Sequence, residues 1–279
     1  MYHHVKKLMY TVNVGTPDVR FGNMVLEQFG GANGELAAAM QYTIQGWNCV
    51  DDITRRDLLL DIGTEELSHL EIVGALIRMH LKPMKTRSEA AEADPLVTIA
   101  GGGGVNLYNS MGNPWTADYL KITGELDVDL RSNIAAEARA KIVYERLIDH
   151  TDDPGTIDTL QFLMTREITH MKAFSAALES LEKPPFSIGR IAPTSGLVDE
   201  YFNASTGKGD EGEEDVKGPW TKMYGLRKVE SPLVEGRGLS NDRVRGVPGP
   251  EKRGKQDSCP KATTAPEQDE LVGVAGAKY

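Results

Sequence analysis

The sequence predicts an all-α fold in which four long helices form two hairpins, linked by one long crossover and followed by an extended C-terminal arm. Long segments rich in helix-forming residues, with compact polar turns inside each half of the chain, predict the hairpins. A glycine- and proline-rich segment between the two halves predicts the crossover. The bundle should occupy residues 1–184, and the irregular arm should occupy residues 185–279.

The first hairpin begins with a predicted helix over residues 21–47, a segment rich in Leu, Met, Ala and Gln. Three glycines in this segment allow close helix contact but also weaken the helix; they are Gly30, Gly31 and Gly34. Asp51 and Asp52 form a polar break that can cap a second helix over residues 53–81, which ends before Pro83. The two helices should be antiparallel neighbours.

The second hairpin follows a long irregular crossover over residues 83–124. A third helix is predicted over residues 125–150, and the compact turn 151–155 leads into a fourth helix over residues 156–181. Pro184 and the proline after it close that helix. The order of hairpin, crossover and hairpin is the topology of the ferritin-like four-helix bundle.

The remaining chain, from about residue 185, is rich in Gly, Pro and charge and has no helical period. We expect it to gain order by packing on the bundle or on a neighbouring subunit. From Gly254 onward the composition fits a disordered tail nearly as well.

Composition limits the classes of function. With 279 residues and 40% hydrophobic content, the chain can bury a sizeable core. It has no apolar run long enough for a membrane span, and no apolar region follows the lysines near the N-terminus, so we expect neither a membrane protein nor a secretory signal. Cys49 and Cys259 form no metal-type pair, which suits a reducing compartment and predicts a cytoplasmic protein. The net charge of −10 argues against a nucleic-acid partner.

Two Glu-x-x-His motifs occur, one in the second helix of each hairpin: Glu66 with His69, and Glu167 with His170. Residues three apart on a helix project from the same face, so each pair can hold a metal ion. A single motif of this kind is more often a surface pair than a metal site. Two copies in corresponding positions favour a metal centre held by oxygen and nitrogen.

The first helix of each hairpin adds one glutamate, Glu35 or Glu137. A glutamate from each of two helices and a Glu-x-x-His from each of the other two is the pattern of a dinuclear carboxylate site. Tyr42 lies two turns beyond Glu35, and Tyr144 two turns beyond Glu137, so both tyrosines can line the site. These ligand types suit manganese or iron and do not choose between them.

Two other sequence features resemble binding sites but have simpler explanations. The run Gly101 to Gly104 lacks the Lys-Ser/Thr ending of a phosphate-binding loop and is better explained as a linker. Asp57 and Asp61 lie one turn apart on the second helix and face away from Glu66. Such pairs are mostly solvated, although they can hold Ca²⁺ if a loop supplies more oxygen ligands.

Taken together, these residues resemble those of the manganese catalases, a family with a ferritin-like bundle and a dinuclear manganese centre. The resemblance extends from the N-terminus to the region of Asn203 and includes Asp94-Pro-Leu-Val and the Gly-Asn-Pro-Trp of residues 112–115. It implies dismutation of hydrogen peroxide to water and dioxygen, with the manganese pair cycling between Mn(II)₂ and Mn(III)₂. It also implies five metal ligands, namely Glu35, Glu66, His69, Glu137 and His170.

The same resemblance gives Glu167 a different role from the one that spacing suggests. It implies that Glu167 handles protons beside the metals without binding them, and that Tyr42 donates a hydrogen bond near the metal-bound glutamates. Some family members have an arginine immediately before the third-helix glutamate, where this chain has Ala136.

Some members of the family also bind calcium at a subunit contact, through two aspartates of the second helix and an Asn-x-Ser-x-Gly run in the arm. This chain matches that pattern at Asp57, Asp61, Asn203, Ser205 and Gly207. The resemblance thus implies a calcium site that ties the arm to the bundle, and a trimer-based homohexamer.

Two alternatives remain at this point. The first is a di-iron ferroxidase or rubrerythrin-like peroxidase, in which Glu167 would be a direct ligand. The second is a non-catalytic structural protein of spore-coat type, which the acidic Gly/Pro-rich arm would suit.

Overall fold

The computed structural model describes residues 4–85, 87–93, 95–184, 186–193, 197–202 and 219–229. The chain divides into two compact units, Met1–Ala192 and Pro193–Tyr279. The first unit is all-α, and its helices are α1 (Val19–Gly30), α2 (Glu35–Asn48), α3 (Ile53–Leu81), α4 (Ser88–Ala93), α5 (Pro95–Gly101), α6 (Leu126–Ile148) and α7 (Pro154–Glu179). Short 3₁₀ turns cover Lys82–Lys85 and Ala117–Tyr119.

The bundle consists of two helical hairpins, as predicted. Helices α1 and α2 both pack along the long helix α3, and α6 packs along α7. Asp52 caps α3 by accepting a hydrogen bond from the backbone N–H of Arg55, at 3.0 Å. Asp153 caps α7 in the same way through the N–H of Thr156, at 2.9 Å, so α7 begins two residues earlier than predicted.

The helix predicted over residues 21–47 is in fact two helices, because the helical conformation is interrupted between Gly30 and Glu35. A Cβ atom on Gly30 would lie 2.5 Å from the carbonyl oxygen of Tyr108 in the crossover. A Cβ atom on Gly34 would lie 2.7 Å from the carbonyl oxygen of Gln28. The glycines therefore permit close backbone approach, and the break makes Glu35 the first residue of α2, where the helix dipole favours a carboxylate.

The apolar core lies in two clusters at different heights of the bundle. One contains Leu26, Ile72, Leu76, Tyr144 and Leu160, and the other contains Tyr42, Leu59, Leu130 and Phe174. Along α3, Leu59 belongs to one cluster and Ile72 to the other, and Glu66 and His69 lie between them. The same alternation occurs on α7, so the polar residues form a layer inside the bundle.

The described part of the second unit contains the strands β1 (Glu200–Phe202) and β2 (Arg227–Val229) and the helix α8 (Trp220–Tyr224). The strands pair in parallel, with Glu200 opposite Arg227, and these two side chains form an ion pair. No helix in the described part of the chain combines the length and the apolar character required to cross a bilayer.

Candidate metal centre

Four helices bring six predicted side chains into one buried layer. These side chains are Glu35 on α2, Glu66 and His69 on α3, Glu137 on α6, and Glu167 and His170 on α7. None of them is more than 2% exposed. Burial of four carboxylates is costly unless each has a cation, a proton or a hydrogen-bond donor, so this layer is built to hold positive charge.

Glu66 lies between the two histidines. Its Oε2 atom is 2.9 Å from Nδ1 of His69, and its Oε1 atom is 2.8 Å from Nδ1 of His170. The two imidazole rings are nearly parallel, with centroids 5.5 Å apart. Glu66 therefore presents one oxygen to each half of the centre.

Two tyrosines donate hydrogen bonds to Glu137 and Glu35, each from the opposite hairpin. The Tyr42 hydroxyl on α2 donates to Oε1 of Glu137 on α6, at 2.6 Å. The Tyr144 hydroxyl on α6 donates to Oε1 of Glu35 on α2. Both tyrosines are fully buried, and Phe174 packs edge-on against Tyr42 at a centroid distance of 4.9 Å. The tyrosines thus line the centre, as their spacing predicted.

Glu65 is a residue of this centre that the sequence analysis missed. Its carboxylate oxygens lie 3.4 Å from Nε2 of His69 and 3.3 Å from Nε2 of His170. Arg166 donates from Nε to Oε1 of Glu65 at 2.7 Å. The two imidazole contacts are longer than a well-formed N–H···O bond and are best described as ion pairs. Glu65 lies four residues before His69, a helical neighbour spacing that was a usable signal, whereas its contact with His170 depends on how α3 and α7 pack.

Burial and mutual repulsion dominate the electrostatics of the layer. Burial raises the pKa of Glu167 well above its usual value, and the carboxylates of Glu35 and Glu66 raise it further. Burial alone would lower the pKa of His170, but Glu65 and Glu66 outweigh it and raise this pKa to about 9. With no metal bound, protons on these groups therefore offset the negative charge at neutral pH.

The donor atoms fit a metal ion. One atom each from Glu66, His69 and His170 lie within 4.8 Å of one another, and a second such group contains Glu35, Glu66, His69 and Glu167. Among the described residues, Oε2 of Glu137 and Oε1 of Glu167 have no hydrogen-bond partner although both atoms are buried. Carboxylate oxygen with imidazole nitrogen is a donor set that suits manganese or iron.

The geometry does not separate Glu167 from the ligands as the family resemblance implied. Glu167 belongs to the second group of close donor atoms, whereas Glu137 belongs to neither group. The Oε2 atom of Glu137 is 3.9 Å from Nδ1 of His170. Both glutamates are thus placed beside the centre.

The two aspartates of the predicted calcium site lie on the surface of α3. Asp57 and Asp61 are both exposed, and Oδ1 of Asp57 accepts hydrogen bonds from Arg56 at 3.0 and 3.1 Å. The other three predicted ligands, Asn203, Ser205 and Gly207, lie outside the described residues.

Comparison with known proteins identifies the family. The sequence profile of a family described as "Manganese containing catalase" matches residues 1–237. The chain belongs to the manganese catalase family. A probable manganese catalase of Clostridium acetobutylicum is 42% identical over 185 residues, which cover 65% of this chain and 81% of that one. A manganese catalase of Bacillus subtilis is 34% identical over 236 residues, which cover 79% and 85%.

Structural comparison agrees with this assignment. The crystal structure of KatB, a manganese catalase from Anabaena PCC7120, matches with a TM-score of 0.73 at 41% identity, over 82% of this chain and 99% of that chain. The predicted ferritin-like helical fold of this manganese catalase is thereby confirmed. So is its predicted activity, the dismutation of hydrogen peroxide by an oxidoreductase whose family uses manganese. These matches favour that activity over the di-iron and structural alternatives.

Proposed function

We propose that hydrogen peroxide is dismutated at a pair of manganese ions held by Glu35, Glu66, His69, Glu137 and His170. The central support is Glu66, whose two oxygens lie 2.9 and 2.8 Å from the Nδ1 atoms of His69 and His170. A carboxylate placed in this way can be shared by two cations. Nδ1 of each imidazole faces that carboxylate while Nε2 faces Glu65, so Nδ1 is the proposed ligand atom of both histidines.

Bound manganese supplies a reversible two-electron exchange between Mn(II)₂ and Mn(III)₂, which allows one peroxide to be reduced to water and a second to be oxidised to dioxygen. The protein's own residues supply the protons and hold the ligands. Glu167 is proposed to take up and return protons, because burial raises its pKa well above the usual carboxyl value and so favours proton uptake. Tyr42 is proposed to orient Glu137 through its hydrogen bond.

A second assignment treats Glu167 as a sixth ligand, which would make the centre resemble a di-iron site. It draws on the proximity of Glu167 to Glu35, Glu66 and His69. The variant Glu167→Gln distinguishes the two assignments. As a proton carrier, Glu167 can be replaced with full retention of manganese and a large loss of kcat. If the variant loses metal instead, Glu167 is a ligand and the proton role is wrong.

Metal identity is tested on protein from cells grown with both manganese and iron. We expect two manganese atoms per chain by elemental analysis, and oxygen evolution on addition of hydrogen peroxide. Iron in place of manganese, with peroxidase activity but no oxygen release, would support the di-iron alternative. Protein that releases no oxygen with any metal would support a structural role.

The calcium site, the assembly and the compartment are proposed on the same family basis. We propose that Asp57 and Asp61 bind Ca²⁺ together with Asn203, Ser205 and Gly207. Calorimetric titration with Ca²⁺, in the full chain and in Asp57→Ala, tests this site. We also propose a cytoplasmic homohexamer with residues 1–184 as the catalytic bundle and residues 185–279 as an arm that packs on neighbouring subunits. Light scattering measures the assembly, and cell fractionation measures the compartment.

A further inference from the structure

A small cavity near the surface of the bundle is lined on its inner side by Glu167. Its wall includes the buried side chains of Glu167 and Tyr42 and the exposed side chain of Arg139, so the cavity lies between the buried centre and the surface. The volume is about 20 Å³, which is enough for a molecule the size of water. Ala136 forms part of the wall, and its small side chain leaves this space open.

Arg139 lies at the outer end of the cavity. It follows Ala136 by three residues on α6, so the two side chains project from the same face of that helix. The Nε atom of Arg139 donates to Oδ1 of Asn33 at 2.9 Å, which anchors the guanidinium to the break between α1 and α2. Within the described part of the chain, its two terminal amino groups form no hydrogen bond, which leaves four N–H donors available at the mouth.

The crossover side of the cavity is held rigidly by buried amides. The backbone N–H of Lys121 donates to Oε1 of Gln41 at 2.7 Å, and its carbonyl accepts from Nε2 of Gln45 at 2.8 Å. Asn133 joins the two glutamines through hydrogen bonds of 2.9 and 2.7 Å. These bonds fix the segment next to Tyr119, which forms part of the cavity wall. Specific hydrogen bonds therefore fix this wall of the cavity in place.

We propose that Arg139 is a specificity-determining residue that governs entry into this cavity. Its free N–H groups recruit small hydrogen-bond acceptors, with hydrogen peroxide as the substrate and small monovalent anions as competing ligands. Because Glu167 lines the cavity, this assignment rests on the role proposed above for that residue.

The kinetic test uses the manganese-loaded full chain with Arg139→Leu and Arg139→Lys. We expect the KM for hydrogen peroxide to rise about five- to tenfold in Arg139→Leu, the effect of losing one hydrogen bond, while kcat changes less than about twofold. Arg139→Lys should fall between this variant and the original protein. The matched control is Arg146→Leu, which removes an exposed arginine of the same helix that lines a different cavity and should leave KM unchanged. An unchanged KM in Arg139→Leu would overturn the assignment.

A second readout does not depend on turnover or on the metal. Crystals soaked in bromide should show an anomalous peak within hydrogen-bond distance of the Arg139 guanidinium, and Arg139→Leu crystals should not. Absence of this peak in the original protein, or its persistence in the variant, would also overturn the assignment. If the original protein binds no manganese or evolves no oxygen, it is the proposed function that fails, and the bromide result still decides the role of Arg139.

Discussion

The hydroxyl of Tyr42 on α2 donates a hydrogen bond of 2.6 Å to Oε1 of Glu137 on α6. Tyr144 on α6 donates in the opposite direction, to Glu35 on α2. Each hairpin therefore supports the glutamate of the other, and the two halves of the centre are related by an approximate symmetry. This crossed pairing couples the packing of α2 against α6 to the orientation of both carboxylates.

Removal of the Tyr42 hydroxyl tests that coupling. In Tyr42→Phe, Glu137 loses its donor, and we expect kcat to fall by about 10- to 150-fold, since a hydrogen bond to a charged group contributes about 1.5–3 kcal/mol. Manganese content should be unchanged. Oxygen-evolution kinetics and elemental analysis measure the two quantities, and Tyr144→Phe is the matched variant in the other half. A Tyr42→Phe enzyme with the original kcat would show that the bond is not needed for turnover.

Glu65 should control the affinity of the centre for metal. It contacts Nε2 of both His69 and His170 and is itself held by Arg166. Loss of a partner behind a ligating histidine typically costs about 10- to 100-fold in metal affinity, and we expect a loss of that size in Glu65→Gln. Chelator competition measures it, with the exposed Glu71→Gln on the same helix as the control. Equal affinities in the two variants would remove Glu65 from the site.

Asn133 should contribute strongly to stability. It is fully buried and bridges the amides of Gln41 and Gln45. Asn133→Leu keeps the size of the side chain but leaves two buried polar atoms without partners, which should lower the free energy of unfolding by about 2–4 kcal/mol. Urea denaturation measures this change. The exposed Asn48→Leu is the control, and a similar small effect in both variants would contradict the role of the buried network.

His80 should make stability depend on pH. Its Nδ1 atom accepts from the backbone N–H of Asp18 at 3.1 Å, and Nε2 is 3.0 Å from the Thr156 hydroxyl. Burial lowers the pKa of His80, and the facing carboxylates of Asp153 and Asp18 only partly oppose this. The folded chain therefore keeps His80 neutral while the unfolded chain takes up a proton below pH ~6.5, so stability is lost as pH falls.

The experiment compares urea unfolding at pH 5.5 and 7.5 in the original chain and in His80→Gln. One such group contributes at most about 1.4 kcal/mol per pH unit, and the variant should lose that part of the slope. His150→Gln, which removes an exposed histidine near the end of α6, should keep the full slope. A steeper or unchanged slope in His80→Gln would contradict the prediction.

Much of this fold can be predicted from local sequence patterns. The Glu-x-x-His spacing places Glu66 with His69, and Glu167 with His170, on single helix faces, and Asp52 caps α3 as its position before a helical segment predicts. Ligand types and burial follow from the same pattern. The identity of the metal could be predicted only from the resemblance to known sequences, because oxygen and nitrogen donors suit both manganese and iron.

Other features depend on contacts between distant parts of the chain. The helix is interrupted before Glu35 where Gly30 lies against the backbone of Tyr108 in the crossover. The spacing of apolar residues along the segment cannot predict that contact. Helices α4 and α5 lie within a crossover that was predicted to be irregular. His80 accepts a hydrogen bond from the backbone N–H of Asp18 in the chain before α1, a contact that residue spacing cannot predict.

The central claim is tested most directly by anomalous scattering at the manganese edge, on crystals of the full chain grown with manganese. We predict two manganese peaks on either side of the Glu66 carboxylate, with His69 and His170 on different ions. An interior without manganese, or a single ion bound by only one hairpin, would contradict the dinuclear centre.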